Sequence, residues 1–445
     1  MRKIYVCLGL LALALFSLVA CGLFRSDEKG TSAPPTATVR PTAIGTPAAT
    51  SPASTGSPAD TAPDTGPVTL VLWTSESYAP TSETDGGLQL LQQIQAFQQD
   101  YGVGVEVILK KKSGTGGLLD FLSTASMAAP SVLPDLITLS DADLYRAAQG
   151  GLLQPLDDLV SSELLDDQFD FARGLTQLGA ATMGVLYQAD LSHVVYDMAS
   201  VEQPPLTWQD LYSSTVPFVF SPVAPADGVN DVILIQYLAL GGDLTDEAGQ
   251  PALDVDPLIQ ALEFFQKAQQ VDVIPRSALG LSDATTAWAT FRIGEAGMVL
   301  VPSSLYLAER AGLSTVGFGP MPLSTPGTAT VGQGWALAVV TQDLERQALA
   351  ATLIEYLLSP ANSGTWTRAA GRLPTRHAAL DAWDQNDAYL SFVRNLLAQA
   401  SPAPNPDLAH AVGGPLTQAL TDVLGGQKTP AEAAQTAVEA VKAGQ

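Results

Sequence analysis

The sequence predicts an α/β fold built on a mostly parallel sheet, and three observations predict it. Short β-rich apolar runs alternate with amphipathic helical runs in the order β-α-β-α-β-α. The mixed character continues through the later segments, with no repeat of fixed period. The stretch from about residue 68 to 440 is long enough for two lobes.

The first strand is Val68-Thr69-Leu70-Val71-Leu72-Trp73, rich in β-branched residues. Leu88, Leu91, Ile94 and Phe97 then recur at helical spacing until Gly102, which can take the left-handed conformation that ends a helix. Val103, Val105, Val107 and Leu109 alternate as a second strand, and a helix is expected from Gly117 to Met127. Pro134-Asp135-Leu136-Ile137-Thr138-Leu139 is a third strand leading into another helix. Such an order gives parallel strands with right-handed crossovers. In open α/β sheets ligands bind beyond the carboxyl ends of the strands. That rule selects Trp73, Thr74, Ser75 and Glu76 after the first strand and Ser140 and Asp141 after the third.

Later, Asp256-Pro257 is expected to cap a helix carrying Leu258, Leu262 and Phe265. Met298 to Val301 and Trp335 to Val340 read as strands. Asp343 starts a helix through Leu353, Ile354 and Leu357 that stops at Ser359-Pro360, and the Ala-rich stretch after Pro430 is helical.

The first residues concern compartment. Arg2 and Lys3 precede an apolar run from Ile4 to Ala20 that ends in Leu18-Val19-Ala20-Cys21-Gly22, the layout of an export signal over residues 1–20. A spanning helix needs about 20 apolar residues, and this run stops at small residues before a cysteine. The pattern resembles a lipobox, which implies that Cys21 becomes the diacylglycerol-modified N-terminus and holds the protein on a membrane. The other cysteine, Cys7, lies inside the signal, so the mature chain has no disulfide framework and no thiolate metal site. Loss of Arg2 and Lys3 takes the formal charge from −24 to −26, and no basic cluster is expected to face phosphates, which argues against nucleic acid. Residues 21–67 turn to Thr, Pro, Ala, Ser and Gly, a tether that cannot bury enough apolar surface to offset its ordering entropy.

Motifs of catalysis are missing: no G-x-S-x-G, no phosphate-binding G-x-x-x-x-G-K, no G-x-G-x-x-G and no H-E-x-x-H. His193, His377 and His410 stand far apart, without a second ligand at metal spacing. The acidic pairs Asp157-Asp158, Asp166-Asp167 and Asp246-Glu247 read as solvated turns. No cofactor, no metal and no enzyme activity are expected.

Eight short segments occur in a telling order: Val68 to Trp73, Pro134-Asp135-Leu136, Ala148 to Leu156, Pro205-Leu206-Thr207-Trp208, Phe291 to Met298, Gly332-Gln333-Gly334-Trp335, Arg372 to Arg376 and Thr429 to Ala433. Together they resemble the family-1 extracellular solute-binding proteins, the maltose and multiple-sugar type, over nearly all of residues 68 to 440. The resemblance implies a two-lobed periplasmic-binding-protein fold of type II, a Venus flytrap in which each lobe is a sheet flanked by helices. It implies three interlobe crossings, near Gly184, Gly319 and Gly371. Lobe 1 would comprise residues 68–184 and 321–370, and lobe 2 residues 185–320 and 371–445. It also implies a monomeric capture component that closes on its solute about a hinge and delivers it to the permease subunits of an ABC importer, on the extracytoplasmic face.

By that resemblance Asp141 matches the carboxylate that accepts sugar hydroxyls, with helix capping as its other role. Trp73, Tyr78, Tyr306 and Trp335 offer faces on which a pyranose can stack. Ser75, Glu76, Tyr187, Gln188, Asp190 and Arg372 complete the expected ligand-binding set. Trp335 lies beside Gly332 and Gly334 and is expected to be exposed to the cleft, whereas Trp208 should pack its own helix start. The sequence departs from the family pattern at Leu186-Tyr187-Gln188-Ala189-Asp190, at Tyr196-Asp197-Met198-Ala199, at Pro302 to Tyr306 and near His410 to Pro415. Those departures make the pocket less aromatic than that of a maltodextrin binder. They leave open a non-sugar ligand, such as a polyol phosphate, a polyamine or a peptide, and a sensor or hydrolase accessory on the same fold.

Overall fold

The computed structural model describes residues 68–225 and 228–444. The signal segment, the tether of residues 21–67 and Cys21 lie outside them. Eleven strands are described: β1 Thr69–Ser75, β2 Gly104–Lys110, β3 Leu136–Ser140, β4 Gln177–Leu178, β5 Ala181–Thr182, β6 Val185–Asp197, β7 Phe218–Val219, β8 Met298–Pro302, β9 Val316–Gly319, β10 Thr330–Val339 and β11 Ala400–Pro402. Nine of them form one sheet in the order β2-β1-β3-β10-β6-β8-β7, with β11 beside β10 and β9 beside β6. β4 and β5 make a separate two-stranded ribbon.

The first three strands pair parallel, as their crossover helices require. β10 then enters antiparallel to both β3 and β6. β6 is the longest described strand and changes partners partway along. Its residues 185–191 pair with β10, and from Ser192 onward it pairs with β8 and β9. One strand therefore belongs to two wings of the sheet. Its burial is continuous, broken only at Asp190 and Asp197, which suits a strand covered on both faces.

The helix boundaries follow the expected chemistry. The first helix runs Asp85–Tyr101 and ends on Gly102 at φ +67°, whose N–H bonds Gln98 O. Thr207 caps the helix at Trp208 through a reciprocal pair with Asp210, and Thr429 does the same with Glu432 at Pro430–Ala443. Asp343 caps Leu344–Leu357, and a separate helix starts at Pro360. One expectation is corrected: the cap before Leu258 is Asp254, not Asp256, because the helix begins at Val255 and holds Asp256 and Pro257 in its first turn.

Two half-buried ion pairs fasten distant segments. Arg346 holds Asp135, which also accepts Val71 N at 2.7 Å. Arg376 donates from Nε to Asp167 at 2.8 Å and from Nη1 to Leu358 O at 2.7 Å. Among the described residues no helix is long and apolar enough to cross a membrane.

Candidate functional site

The carboxyl ends of β2 and β3 and the amino half of β10 surround a cavity of about 250 Å³. Its walls include Lys112, Asp141, Gln333 and Trp335 on the side of the first wing, and Pro225, Val229 and Asp231 from the segment that follows β7. A second hollow of about 240 Å³ adjoins it, sharing Pro225, Asp231 and Gln333 and reaching Ser192 and Asp283. A larger hollow, about 620 Å³, lies around Asp135 and Arg346. It sits at the amino ends of β1 and β3, away from where open sheets bind ligands, and its polar centre is already a closed ion pair. The smaller cavity is the candidate site.

Asp141 stands at the first position of the helix Asp141–Gln149, and the cap is Ser140, whose Oγ accepts Asp143 N at 3.1 Å. The Asp141 carboxylate takes the Asp141 and Ala142 N–H groups of that first turn and also meets the cavity wall, with Gly334 N as donor at 3.4 Å. Burial pushes its carboxyl up to about 6, against the lowering effect of the Gly334, Asp141 and Ala142 N–H groups. A Cβ at Gly334 would lie 2.2 Å from Gln188 O, so glycine lets β10 lie close against β6 at this point. Across the cavity Asp231 is likewise raised to about 6 by burial, with the nearby Asp190 adding to the rise and a hydrogen bond from Ser192 Oγ at 2.6 Å opposing it.

Trp335 lies at 5% exposure, more enclosed than the preceding glycines suggest, because Tyr78 packs on it with centroids 5.0 Å apart and Lys112 Nζ sits 5.2 Å from its ring. Tyr78 closes a short 3₁₀ turn, Glu76–Tyr78, of which Glu76 is exposed. Its hydroxyl accepts from Gln188 Nε2 at 3.0 Å, and Arg372 is a second polar neighbour. Burial pushes that phenol well above the usual tyrosine range, with Arg372 opposing. Tyr187 is buried and stacks on Trp366 at 4.1 Å. Trp73 and Ser75 are also buried, and Lys110 Nζ stands 4.8 Å from the Trp73 ring.

Two expected site residues are engaged elsewhere. Tyr306 packs among His193, Tyr389 and Phe318 at 2% exposure, so its ring is closed off from the cavity. Asp190 accepts from Ser303 Oγ, Ser304 N and Ser304 Oγ, and so serves the start of the helix Ser303–Glu309. Trp208 packs its helix start, stacked on Phe264 and bonded to Gln236.

Lys112, Asp231, Gln333 and Trp366 were not singled out by sequence. The strand-end rule applied to β2 points directly at Lys110-Lys111-Lys112, a basic run that qualifies the expectation of no such cluster. Asp231 gave no comparable signal, since β7 is two residues long and cannot be read as a strand.

Residues 92–390 match the model of a family described as bacterial extracellular solute-binding protein. The maltotriose-binding protein of Pyrococcus abyssi is 25% identical over 242 residues, 52% of this chain and 51% of that protein. The sn-glycerol-3-phosphate-binding periplasmic protein UgpB of Escherichia coli K12 is 25% identical over 268 residues, 54% of this chain and 60% of that one. The chain thus spans between half and three-fifths of these curated relatives. Among solved structures, a cyclic α-maltosyl-1,6-maltose binding protein from Arthrobacter globiformis superposes with a TM-score of 0.70 at 19% identity, covering 85% of this chain and 99% of that one. A maltose-binding periplasmic protein from Listeria monocytogenes gives 0.68 at 18%, covering 84% and 97%. At these identities the likeness establishes the two-lobed α/β fold.

Proposed function

The chain belongs to the bacterial extracellular solute-binding proteins, and from that premise we propose that it captures a saccharide between two lobes and presents it to an ABC-type importer. One observation carries the reading: a buried carboxylate, Asp141, and an indole, Trp335, line the same cavity beyond the strand ends. A pyranose offers hydroxyls to the first and a C–H face to the second. The names of the maltotriose and cyclic maltosyl relatives support the same ligand class.

We assign lobe 1 to β1, β2, β3 and the segments paired with them, and lobe 2 to β7, β8, β9 and the C-terminal helices. On this assignment the first crossing, expected near Gly184, is taken at Leu191–Ser192, and its support is the change of strand partners there. The others stay near Gly319 and Gly371. Closure then brings Asp231 toward Asp141, and a solute held by both lobes shifts the population toward the closed form. Cys21 carries the lipid, and residues 21–67 are the tether to the extracytoplasmic face of the membrane.

A polyol phosphate is the second reading, favoured by Lys112 at the cavity and by the glycerol phosphate-binding relatives. A thermal-shift screen with glucose, maltodextrins and glycerol 3-phosphate separates the two, since a ligand of the folded state raises the midpoint by mass action. A rise with maltodextrins supports the saccharide. A rise with the phosphate alone replaces it.

A further inference from the structure

Tyr78 is 6% exposed and lies in a nest of aromatic rings beside the cavity. Register explains how the residues around it converge. Trp335 pairs with Gln188 and Ala336 with Leu186, which leaves Tyr187 as an extra residue in β6. Such a bulge breaks the strict alternation of faces. Tyr187 and Gln188, neighbours in sequence, both reach Tyr78: Gln188 by its hydrogen bond and Tyr187 edge-on, with centroids 6.4 Å apart. Trp335 and Trp366 wall the same ring at 5.0 and 6.2 Å.

The polar atoms of this nest are incompletely used. Gln188 Oε1, the Tyr187 hydroxyl and Ser75 Oγ have no hydrogen-bond partner, although their residues are 3%, 2% and 1% exposed. Buried polar groups are nearly always paired, so two orphans on residues that touch the Tyr78 ring, with a third on Ser75 three positions before it in the chain, call for an explanation. The single Tyr78 hydroxyl accepts from Gln188 Nε2 and leaves Gln188 Oε1, the Tyr187 hydroxyl and Ser75 Oγ unmet. A pyranose has several hydroxyls, and can donate to Gln188 Oε1 while answering Tyr187 and Ser75. Space points the same way. The cavity of about 250 Å³ is continuous on one side with the hollow of about 240 Å³ that shares Pro225, Asp231 and Gln333, and is closed on the other by the Trp335 ring. The place of Tyr78 adjoins it across Trp335, and the turn that carries Tyr78 is short, with Glu76 and Ser77 exposed and no side-chain cap.

We propose that Tyr78 is a built-in occupant of a second pyranose subsite, displaced when a saccharide of two or more rings binds. The proposal rests on the saccharide reading above and adds chain-length selectivity to it. A monosaccharide fills the cavity beside Asp141 and leaves Tyr78 in place. A longer ligand turns it out and takes up the orphaned groups.

Nitration of the wild-type chain by tetranitromethane, located by mass spectrometry, reads the displacement directly. Tyr78 is expected to resist modification in the free protein and with glucose, and to become reactive with saturating maltotriose. Calorimetry of Tyr78→Ala and Tyr78→Phe supplies the second measurement. Removing the ring should raise the maltotriose-to-glucose affinity ratio about tenfold or more, and removing only the hydroxyl should raise it less. Protection of Tyr78 under saturating maltotriose, or an unchanged ratio in the alanine variant, overturns the subsite while the saccharide reading stands. If no saccharide binds wild type or variants, that reading fails and the subsite with it.

Discussion

Asp190 accepts a hydrogen bond from Ser303 Oγ at 2.7 Å, although 113 residues separate them. The same carboxylate takes the backbone N–H of Ser304 at 3.0 Å and its hydroxyl. The helix Ser303–Glu309 has no side-chain cap from Pro302, so β6 supplies the acceptor from a different part of the chain. Asp190→Ala should therefore lower unfolding free energy by about 1–3 kcal/mol, the range for leaving buried donors unpaired. Asp190→Asn should lose less, since its amide oxygen still accepts. Urea denaturation measures both, and an alanine variant as stable as wild type would refute the cap.

Arg376 makes a comparable tie at the other end of the chain. At 5% exposure its guanidinium bridges Asp167 and Leu358 O, and Asp167 also accepts Ala378 N at 3.2 Å. Arg376→Met leaves Leu358 O without its donor and Asp167, half-buried, without its cation, so it should cost about 1–3 kcal/mol. The double variant with Asp167→Asn should be less destabilised than the sum of the singles. Additive losses in a denaturation cycle would show that the pair is not coupled.

These two ties mark where sequence reading ends. Local rules find the first strand, the Gly102 stop, the Thr207 and Thr429 caps and the loops beyond β1 and β3, because each depends on residues a few positions apart. They do not find that Asp190 faces Ser303, since nothing in the run from Val185 to Asp197 says which strand lies alongside. The resemblance to known binding proteins places Arg372 to Arg376 in order but does not say that Arg376 is buried against Asp167. Trp335 shows the same limit in the other direction. Two preceding glycines suggest openness, yet Phe171, Leu191, Leu186 and Gln188 O occupy the space beside them, and Tyr78 and Lys112 from distant segments pack on the indole itself.

Stability should depend on pH through His193. Full burial holds its pKa down to about 4, below the usual 6.5. Val194 O can only accept, so Nδ1 carries the proton and Nε2 accepts from the Tyr389 hydroxyl at 3.1 Å. Between pH 6.5 and 4 the unfolded chain binds this proton and the folded chain does not, so acidification through that window costs stability, up to about 3 kcal/mol for this group. Asp141 and Asp231, raised to about 6, act in the opposite sense over much of the same range. Comparison with His193→Gln, in which both carboxyls remain, isolates the histidine. The variant should lose less stability than wild type between pH 7 and 4, and equal losses would count against a neutral buried imidazole.

Ligand affinity should fall on acidification for a separate reason. With its pKa raised to about 6 by burial, Asp141 is about nine-tenths protonated at pH 5 and no longer a charged acceptor. Affinity for a saccharide should drop about tenfold per unit below pH 6 if the carboxylate takes its hydroxyls. Asp231 and Lys112 also face the cavity, so Asp141→Asn is the control. It should bind about tenfold or more weakly at pH 7, corresponding to a charged hydrogen bond of about 1.5–3 kcal/mol, and show a flatter profile. Titration calorimetry at pH 5, 6 and 7 decides it, and a flat wild-type profile removes Asp141 from the site.

Trp335 is the sharpest test of where the ligand lies, because its two roles predict different things. An indole standing open in a cleft could be truncated with little effect on folding, and sequence alone points that way. In the structure the ring is 95% enclosed, held between β3 and β6 by its strand and covered by Tyr78 and Lys112. Trp335→Ala should thus cost about 3–5 kcal/mol of stability, as a core aromatic does, and should also weaken saccharide binding about tenfold through loss of a stacking face. Trp335→Phe keeps an aromatic ring in a smaller volume, so it should recover most of the stability and part of the affinity. Melts and calorimetric titrations, the latter run well below the melting point of each variant, keep the two effects apart. A Trp335→Ala protein as stable as wild type would show that the ring is not packed as described. One that is destabilised yet binds with wild-type affinity would move the ligand away from Trp335, and with it the proposed capture site beyond β3 and β10.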